Sequence, residues 1–321
     1  MQYHLYNEDC ITGCKKHLKD NSVDLIITDP PYGIKGDTLH KHYHRNEDHV
    51  VKGYVEIPSE QYSTFSKQWI KQAERILKPG GSIYIVSGYT NLYHILSALR
   101  STSLEEVNHI IWKYNFGVYT KNKFISSHYH LLYWVKPGRK PTFNTYATYG
   151  AQEKDTNNGS LNYQDREDVW IINRDYKPGK QKNKNELPVA LLQKMIQYSS
   201  KEGDLICDLF LGGFSTATVA LGMKRNIIGF EISKNIFDHG MRKIQSITPG
   251  FLLPQLRQPT TAPPSHQGAP WSEEELACLY QRYHDLYDEL GSKAQTIYQL
   301  CEEFGRGRFA IMNALDRPTK K

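Results

Sequence analysis

Short apolar runs alternate with helical patterns along most of the chain. Val23–Ile27, Ser82–Val86, Leu205–Asp208 and Asn226–Glu231 have the largely apolar character of strands that are buried on both faces. Between these runs, apolar residues recur at helical spacing, and a Lys-Pro-Gly-Gly stop follows one helix. Such strand–helix–strand units predict an α/β fold with a mostly parallel, twisted sheet and right-handed crossovers. Further strands are expected at 3–10, 107–113 and 128–136, and helices at 11–20, 61–77, 90–100 and 186–200.

The end of the chain has a different pattern. Residues 249–270 are rich in Pro, Gln, Thr and Ser, which indicates a linker. Ser272 then stands in an N-cap position with Glu275 at the reciprocal capping-box position, and two glycine breaks divide the rest of the tail into three helices. The sequence therefore predicts one large domain over 1–248 and a small C-terminal α-helical domain over 271–321.

The short helices of the tail permit two interpretations. A glycine turn before a basic third helix suggests a helix-turn-helix, in which Arg306 and Arg308 lie near DNA. A helical packing or dimerisation module explains the same pattern equally well. The sequence leaves both interpretations open.

Composition excludes several classes of protein. The 321 residues contain no apolar run long enough to span a membrane, and the N-terminus begins with a strand-like segment instead of a signal peptide. The five cysteines form neither a disulfide framework nor a metal-binding spacing, so a reducing cytoplasm is expected. Four histidines lie in the polar segment 35–60, but they lack a confirming ligand frame and no metal is predicted: His40, His42, His44 and His49.

The formal net charge of +6 is unevenly distributed. Residues 111–150 contain six Lys or Arg and no Asp or Glu, and Tyr, Phe and Trp lie among them. A basic stripe with interleaved aromatic residues suits a polyanion with bases that can stack, although a solvated cationic face is the alternative. The candidate DNA contacts in this stripe are Lys121, Lys123, Arg139 and Lys140.

The most specific motif is Thr28-Asp-Pro-Pro-Tyr-Gly33, directly after an apolar strand. The prolines Pro30 and Pro31 cannot donate to a strand ladder, so Asp29 is expected where a strand ends, at the edge of the sheet that binds ligands. The Asp29 carboxylate and the Pro30 carbonyl can accept both protons of an exocyclic amino group, and the Tyr32 ring can stack on a base. A turn made of ordinary turn residues is the alternative.

A second motif follows the strand that ends at Asp208. Glycines in the turn after it, with a helix next, let a ligand approach the backbone near a helix N-terminus. One strand–helix–strand unit later, Glu231 ends another strand, where a carboxylate can accept both hydroxyls of a ribose. The spacing indicates a nucleotide-type site, whereas the absence of a GxGxxG argues against a dinucleotide.

Together the two motifs resemble those of the DNA amino-methyltransferases, and their order resembles the β class of that family. The resemblance covers about residues 3–247 and implies a Rossmann-like sheet with an antiparallel end. It also implies a target-recognition insertion near 137–185. S-adenosylmethionine is the implied cofactor, with its site at Asp9, Cys10, Asp208, Phe210, Gly212, Thr216 and Glu231. The chain departs from the glycine-rich motif at Leu209, Gly213, Phe214 and Ser215.

The resemblance implies transfer of a methyl group to adenine N6 in double-stranded DNA, with the target base flipped out of the duplex. Asp29, Pro30, Pro31 and Tyr32 are the implied catalytic residues. Cytosine N4 is the alternative target, and a catalytically inactive DNA-binding relative is another alternative. A homodimer and a cognate restriction endonuclease are further expected partners, and the protein is expected to work at the nucleoid.

Overall fold

The computed structural model describes residues 2–33, 57–115, 117, 119, 121–175, 186–260, 266 and 268–316. The chain divides into two compact units. The first comprises Met1–Thr148 and Tyr163–Gln258, and the second comprises Tyr149–Asn162 and Pro259–Lys321. The predicted α/β architecture is found in the first unit, and the predicted helical tail is found in the second.

One eight-stranded sheet runs through the first unit, in the order β1-β8-β7-β2-β3-β5-β4-β6. All neighbouring pairs are parallel except the two that involve β5, which confirms the predicted antiparallel end. We call the edge where the parallel strands end the carboxyl edge, and the opposite one the amino edge. The strands are β1 Tyr3–Tyr6, β2 Val23–Thr28, β3 Leu77–Ser87, β4 Glu105–Lys113, β5 His128–Val135, β6 Val169–Ile171, β7 Leu205–Asp208 and β8 Asn226–Phe230.

Helices cover both faces of the sheet, because the central strands are apolar on both sides. One core contains side chains from α5, α6 and α7, and the other contains side chains from α1, α2 and α3. Trp69, on α2, is completely buried in the second core. The helices of this unit are α1 Cys10–His17, α2 Tyr62–Ile76, α3 Leu92–Leu99, α5 Val189–Ser199, α6 Ser215–Gly222 and α7 Lys234–Gln245. The short α4 Leu161–Asp165 begins among the residues of the second unit and ends among those of the first.

The chain connections define a switch point between β7 and β2. From β2 the chain crosses through α2 to β3 on one side, and from β7 it crosses through α6 to β8 on the other. In open α/β sheets the crevice outside such a point is where ligands bind. The ends of β2 and β7 are therefore the expected ligand site of this fold.

Two boundaries differ from the sequence-based expectation. The Lys-Pro-Gly-Gly segment expected to be a helix stop is part of β3: Val23 pairs with Leu77, and the next pairing joins Leu25 to Ser82, so the intervening residues bulge. The expected linker also begins too early at 249. Leu252 is buried, and its amide donates to the Gly222 carbonyl, so the first unit continues beyond 249.

The tail forms three helices around a small apolar core: α8 Glu273–Leu290, α9 Lys293–Phe304 and α10 Arg308–Leu315. The predicted capping box is present, because Ser272 and Glu275 each accept the other's backbone N–H. Gly291 and Gly305 end α8 and α9 in the left-handed conformation that favours glycine. The prediction that two glycine breaks divide the tail into three helices is confirmed.

Candidate active site

The two predicted motifs meet at the carboxyl edge, at the ends of β2 and β7. Ile26 pairs with Cys207, and two residues later the Thr28 hydroxyl donates to Asp208 Oδ1 at 3.1 Å. Asp29 follows directly, at the end of the same strand. Residues 180 positions apart in the sequence are thus joined at the switch point.

Side chains from two helices hold the loop after Asp29. The Tyr62 hydroxyl donates to the Pro31 carbonyl at 2.8 Å, and Asn91 Nδ2 donates to the Tyr32 carbonyl at 2.6 Å. Gly33 has a positive φ of 66°, and an added Cβ there would lie 2.6 Å from the Asn91 amide nitrogen. Among the described residues, no hydrogen bond to the Pro30 carbonyl is formed. Its role as the second acceptor for an amino group stays a prediction.

Asp29 lies in an environment that opposes its negative charge. The pKa of this carboxyl is raised to about 7: burial is the largest cause and the nearby Asp208 also raises it, while the Tyr32 hydroxyl and Arg174 lower it. Tyr32 Oη donates to Asp29 Oδ1 at 2.7 Å. Asp29 therefore changes its charge near neutral pH, and only the ionised form has both oxygens available as acceptors.

An aromatic cluster adjoins this carboxylate. The ring of Tyr32 stacks on that of Tyr129 at 5.6 Å, and the Tyr129 ring stacks in turn on Trp112 at the same distance. The Arg174 guanidinium lies over Tyr129, 5.3 Å from the ring centre, and 4.9 Å from that of Tyr114. Arg174 was not identified from the sequence, because nothing in its local context distinguishes it from a surface arginine. Tyr129 is the link between Tyr32 and this cation.

The turn after β7 holds the predicted cofactor residues close together. Asp208 Oδ1 also accepts the Phe210 amide at 3.1 Å, and the Thr216 side chain bonds the same carboxyl. Burial raises the pKa of Asp208 to about 6 despite these donors. Glu231 accepts the Gly212 amide at 3.0 Å through one oxygen and the Ser233 amide through the other. Burial is also the largest effect on the Glu231 carboxyl and raises its pKa.

Phe214 replaces a glycine of the resembled motif and keeps a glycine-like backbone. Its φ is +60°, a left-handed conformation that costs an ordinary residue about 1–2 kcal/mol. The ring is completely buried, and Gly240 on α7 leaves the space that it occupies, since an added Cβ would collide with the ring. Burial of the ring offsets the strain of this conformation.

Asp9 and Cys10 lie at the same edge but have other local roles. Asp9 caps α1, because its carboxylate accepts the amides of Ile11 and Thr12 at 3.0 Å each. Cys10 is the first residue of that helix, not the end of the strand, and burial raises the pKa of its thiol well above the usual range. The Cys10 side chain faces the core, so a ligand at this edge would meet its backbone.

The candidate DNA contacts do not form one stripe. Lys121 and Lys123 are exposed in the loop after β4, which leaves the sheet at the carboxyl edge. Arg139 and Lys140 follow β5, which runs in the opposite direction, and they lie beside Gly80 at the amino edge. The six residues of β2 separate the two edges by roughly 20 Å. The prediction that Arg139 and Lys140 share a surface with the first pair is wrong.

Arg306 is buried, contrary to its predicted role near DNA. Only 3% of it is exposed, and its guanidinium lies 4.0 Å from the centre of the Trp271 ring. It also donates to Glu275 at 2.9 Å and to the Ala269 carbonyl. Arg308 is exposed at the start of α10. Arg306 therefore holds the helical unit together, and of the two arginines only Arg308 is accessible.

The described part of the chain has neither a metal-type cluster nor a membrane-type helix. No group of three or more His, Cys, Asp or Glu there is arranged to hold a metal ion. His40, His42, His44 and His49 lie outside the described residues. No described helix combines the length and apolar character needed to cross a membrane.

Comparison with known proteins shows similarity to DNA methylases. The family model of the N6 and N4 DNA methylases matches residues 23–242. The Type II methyltransferase M.HpaI of Haemophilus parainfluenzae is 29% identical over 243 residues, which cover 74% of this chain and 72% of that protein. The family match spans both motifs, Asp29 and Glu231 included.

Two solved structures share the fold. TTHA0409 of Thermus thermophilus, complexed with S-adenosyl-L-methionine, has a TM-score of 0.57 at 20% identity, covering 80% of this chain and 97% of that one. The cytosine-N4-specific PvuII DNA methyltransferase has a TM-score of 0.58 at 14% identity, covering 88% of this chain and 92% of that one. With the family match over most of its length, the chain belongs to the N6/N4 DNA methylases.

Proposed function

We propose that this DNA methylase transfers a methyl group from S-adenosylmethionine to the N6 amino group of adenine. The observation that carries the proposal is the Thr28–Asp208 hydrogen bond, which joins the amino-group acceptors to the glycine-rich turn at one switch point. Since a paired base cannot reach this edge, we infer that the target base leaves the duplex.

Three residues would hold the base. The Asp29 carboxylate and the Pro30 carbonyl each accept a hydrogen bond from one N–H of the amino group. This directs the nitrogen lone pair away from both acceptors. The Tyr32 ring offers a stacking surface whose orientation is held by Tyr129. Because the Tyr32 hydroxyl occupies Asp29 Oδ1 in the present structure, binding of the amino group must replace or share that hydrogen bond.

The turn after β7 fits the proposed cofactor. Gly212 has a positive φ of 47° and carries no side chain over the turn, and Glu231 follows the neighbouring β8 with two oxygens that each accept one backbone amide. Glu231 would accept the ribose hydroxyls, while Asp208 orders the turn. Bound there, S-adenosylmethionine supplies an electrophilic methyl group on its sulfonium. The residues' contribution to the rate is then mainly positioning, because two bound reactants replace a bimolecular encounter.

The decisive experiment is nucleoside mass spectrometry of unmethylated plasmid DNA incubated with the purified protein and S-adenosylmethionine. We expect 6-methyladenine. Finding 4-methylcytosine would replace adenine by cytosine as the target, and finding neither would favour the inactive DNA-binding alternative. Asp29→Ala should lower the rate by ~10²–10³-fold and leave cofactor binding nearly intact.

The wider context of the reaction also belongs to this proposal. A Type II relative suggests a cognate restriction endonuclease, and the DNA substrate suggests work at the nucleoid in the cytoplasm. A homodimer stays a prediction. Residues 137–185 stay the predicted target-recognition region. Part of this region, residues 176–185, lies outside the described residues.

A further inference from the structure

The loop between β4 and β5 ends in an exposed aromatic tip. The Tyr114 amide donates to the Ser127 carbonyl at 3.0 Å, which extends the hairpin beyond the strands. At Gly117 the two arms are so close that an added Cβ would lie 2.7 Å from the Ser126 carbonyl oxygen. Beyond this closure, Lys121–Phe124 are all exposed, and Phe124 is 96% exposed. The closed arms give the tip a defined base.

This tip projects from the edge that carries the active site. β4 runs parallel to β6 and antiparallel to β5, so Lys113 ends at the carboxyl edge. The returning arm enters β5. The second residue of β5 is Tyr129, whose ring stacks on that of Tyr32. From Tyr114 to Lys121 the arm can extend at most roughly 25 Å. The aromatic tip is therefore linked to the loop after Asp29 through the start of β5, where Tyr129 stacks on Tyr32.

The chemistry of the tip points to nucleic acid. A fully exposed Phe has no stabilising role in the isolated fold, because a side chain in water contributes no burial. Lys121 and Lys123 lie just before it in the chain, in a region from 111 to 150 that contains no acidic residue. Lysines attract phosphates, and apolar side chains such as Phe act as wedges between the bases of a duplex.

We propose that Phe124 is a positioning residue that inserts into the DNA duplex beside the target base. Its ring stacks in the space that the flipped base leaves, and Lys121 and Lys123 contact neighbouring phosphates. The inference rests on the proposed DNA methylation with a flipped base, and it adds the element that stabilises the opened duplex. A base already unpaired needs less of this help.

The test compares Phe124→Ala, Phe124→Leu and the wild type on an oligonucleotide duplex that contains the methylated site mapped on plasmid DNA. A second duplex has an abasic position opposite the target base. Single-turnover methylation by Phe124→Ala should be about 10- to 100-fold slower on the paired duplex, the range that base stacking on an aromatic ring contributes. On the second duplex the loss should be less than about 3-fold, because opening is already favoured.

Two variants serve as controls. Phe124→Leu keeps an apolar wedge and should retain most of the rate on the paired duplex. Tyr3→Ala removes a half-exposed ring at the amino edge and should leave both rates unchanged. With 2-aminopurine at the target position, Phe124→Ala should also reduce the fluorescence increase that accompanies opening of the paired duplex.

Several results would overturn the proposal. An unchanged rate of Phe124→Ala on the paired duplex excludes the wedge, and an equal loss on both duplexes excludes a role in opening. A change of mass in solution without a change of rate would assign the tip to a contact between copies. If the wild type methylates no DNA, the proposed function is wrong. This result is distinguishable from failure of the wedge proposal, because the variants are compared only with an active wild type.

Discussion

Ionisation of Asp29 should control activity near neutral pH. Burial raises the pKa of this carboxyl to about 7, above the usual range, so acidification converts it to the neutral acid inside the folded protein. A neutral carboxyl loses acceptor capacity for the amino protons. At one pH unit below the pKa, roughly one tenth of the molecules are ionised, so kcat/KM should fall about tenfold per unit below pH 7 and level off above it.

Replacing Tyr32 by Phe tests the electrostatic origin of this dependence. The Tyr32 hydroxyl donates to Asp29 at 2.7 Å and stabilises the ionised form. Hydrogen bonds to charged groups contribute about 1.5–3 kcal/mol, which corresponds to ~1–2 pH units. Because Asp29 is partly accessible, the lower end applies, and the midpoint should move upward by about one unit. Tyr62→Phe is the matched control, since its hydroxyl bonds the Pro31 carbonyl in the same loop.

The assay is kcat/KM for methylation of plasmid DNA between pH 5.5 and 9 (a range chosen as roughly two units on each side of the pKa) with saturating S-adenosylmethionine. Saturation matters because the pKa of Asp208, which orders the turn, is raised to about 6 and would otherwise add its own dependence. A profile without a midpoint near 7 would refute the assigned role of Asp29. So would a downward shift in Tyr32→Phe, or an equal upward shift in Tyr62→Phe.

Three further results are expected. Gly240→Ala should lower the free energy of unfolding by ~1–3 kcal/mol, because its Cβ collides with the Phe214 ring, and an unchanged melting temperature would contradict the packing argument. Glu231→Ala should weaken S-adenosylmethionine binding by ~1.5–3 kcal/mol in calorimetry, and an unchanged dissociation constant would place the ribose elsewhere. Arg306→Ala should lower the helical content measured by circular dichroism, whereas Arg308→Ala should leave the helical unit folded. A larger loss in Arg308→Ala than in Arg306→Ala would contradict the buried position of Arg306. If the unit binds DNA, Arg308→Ala should also flatten the salt dependence of binding.

Local sequence predicted the elements that depend on local physics. The strands β2, β7 and β8 were predicted because uninterrupted apolar residues suit only positions buried on both faces of a sheet. Asp29, Asp208 and Glu231 were identified as residues at strand ends, and the capping box at Ser272 depends on neighbours three positions away. These features need no knowledge of the distant chain.

Only the tertiary structure decided which side chains share a surface. Only β5 separates Arg139 from Lys123 in the sequence. Arg139 nevertheless lies at the opposite edge, because the antiparallel β5 carries the chain back across the sheet. Arg306 has the sequence context of a surface cation, but in the structure the Trp271 ring and the Glu275 carboxylate pack against its guanidinium. Phe214 can stand in for glycine because Gly240, from another helix, vacates the space for its ring. Each depends on contacts between distant residues, whose partners a local pattern does not specify.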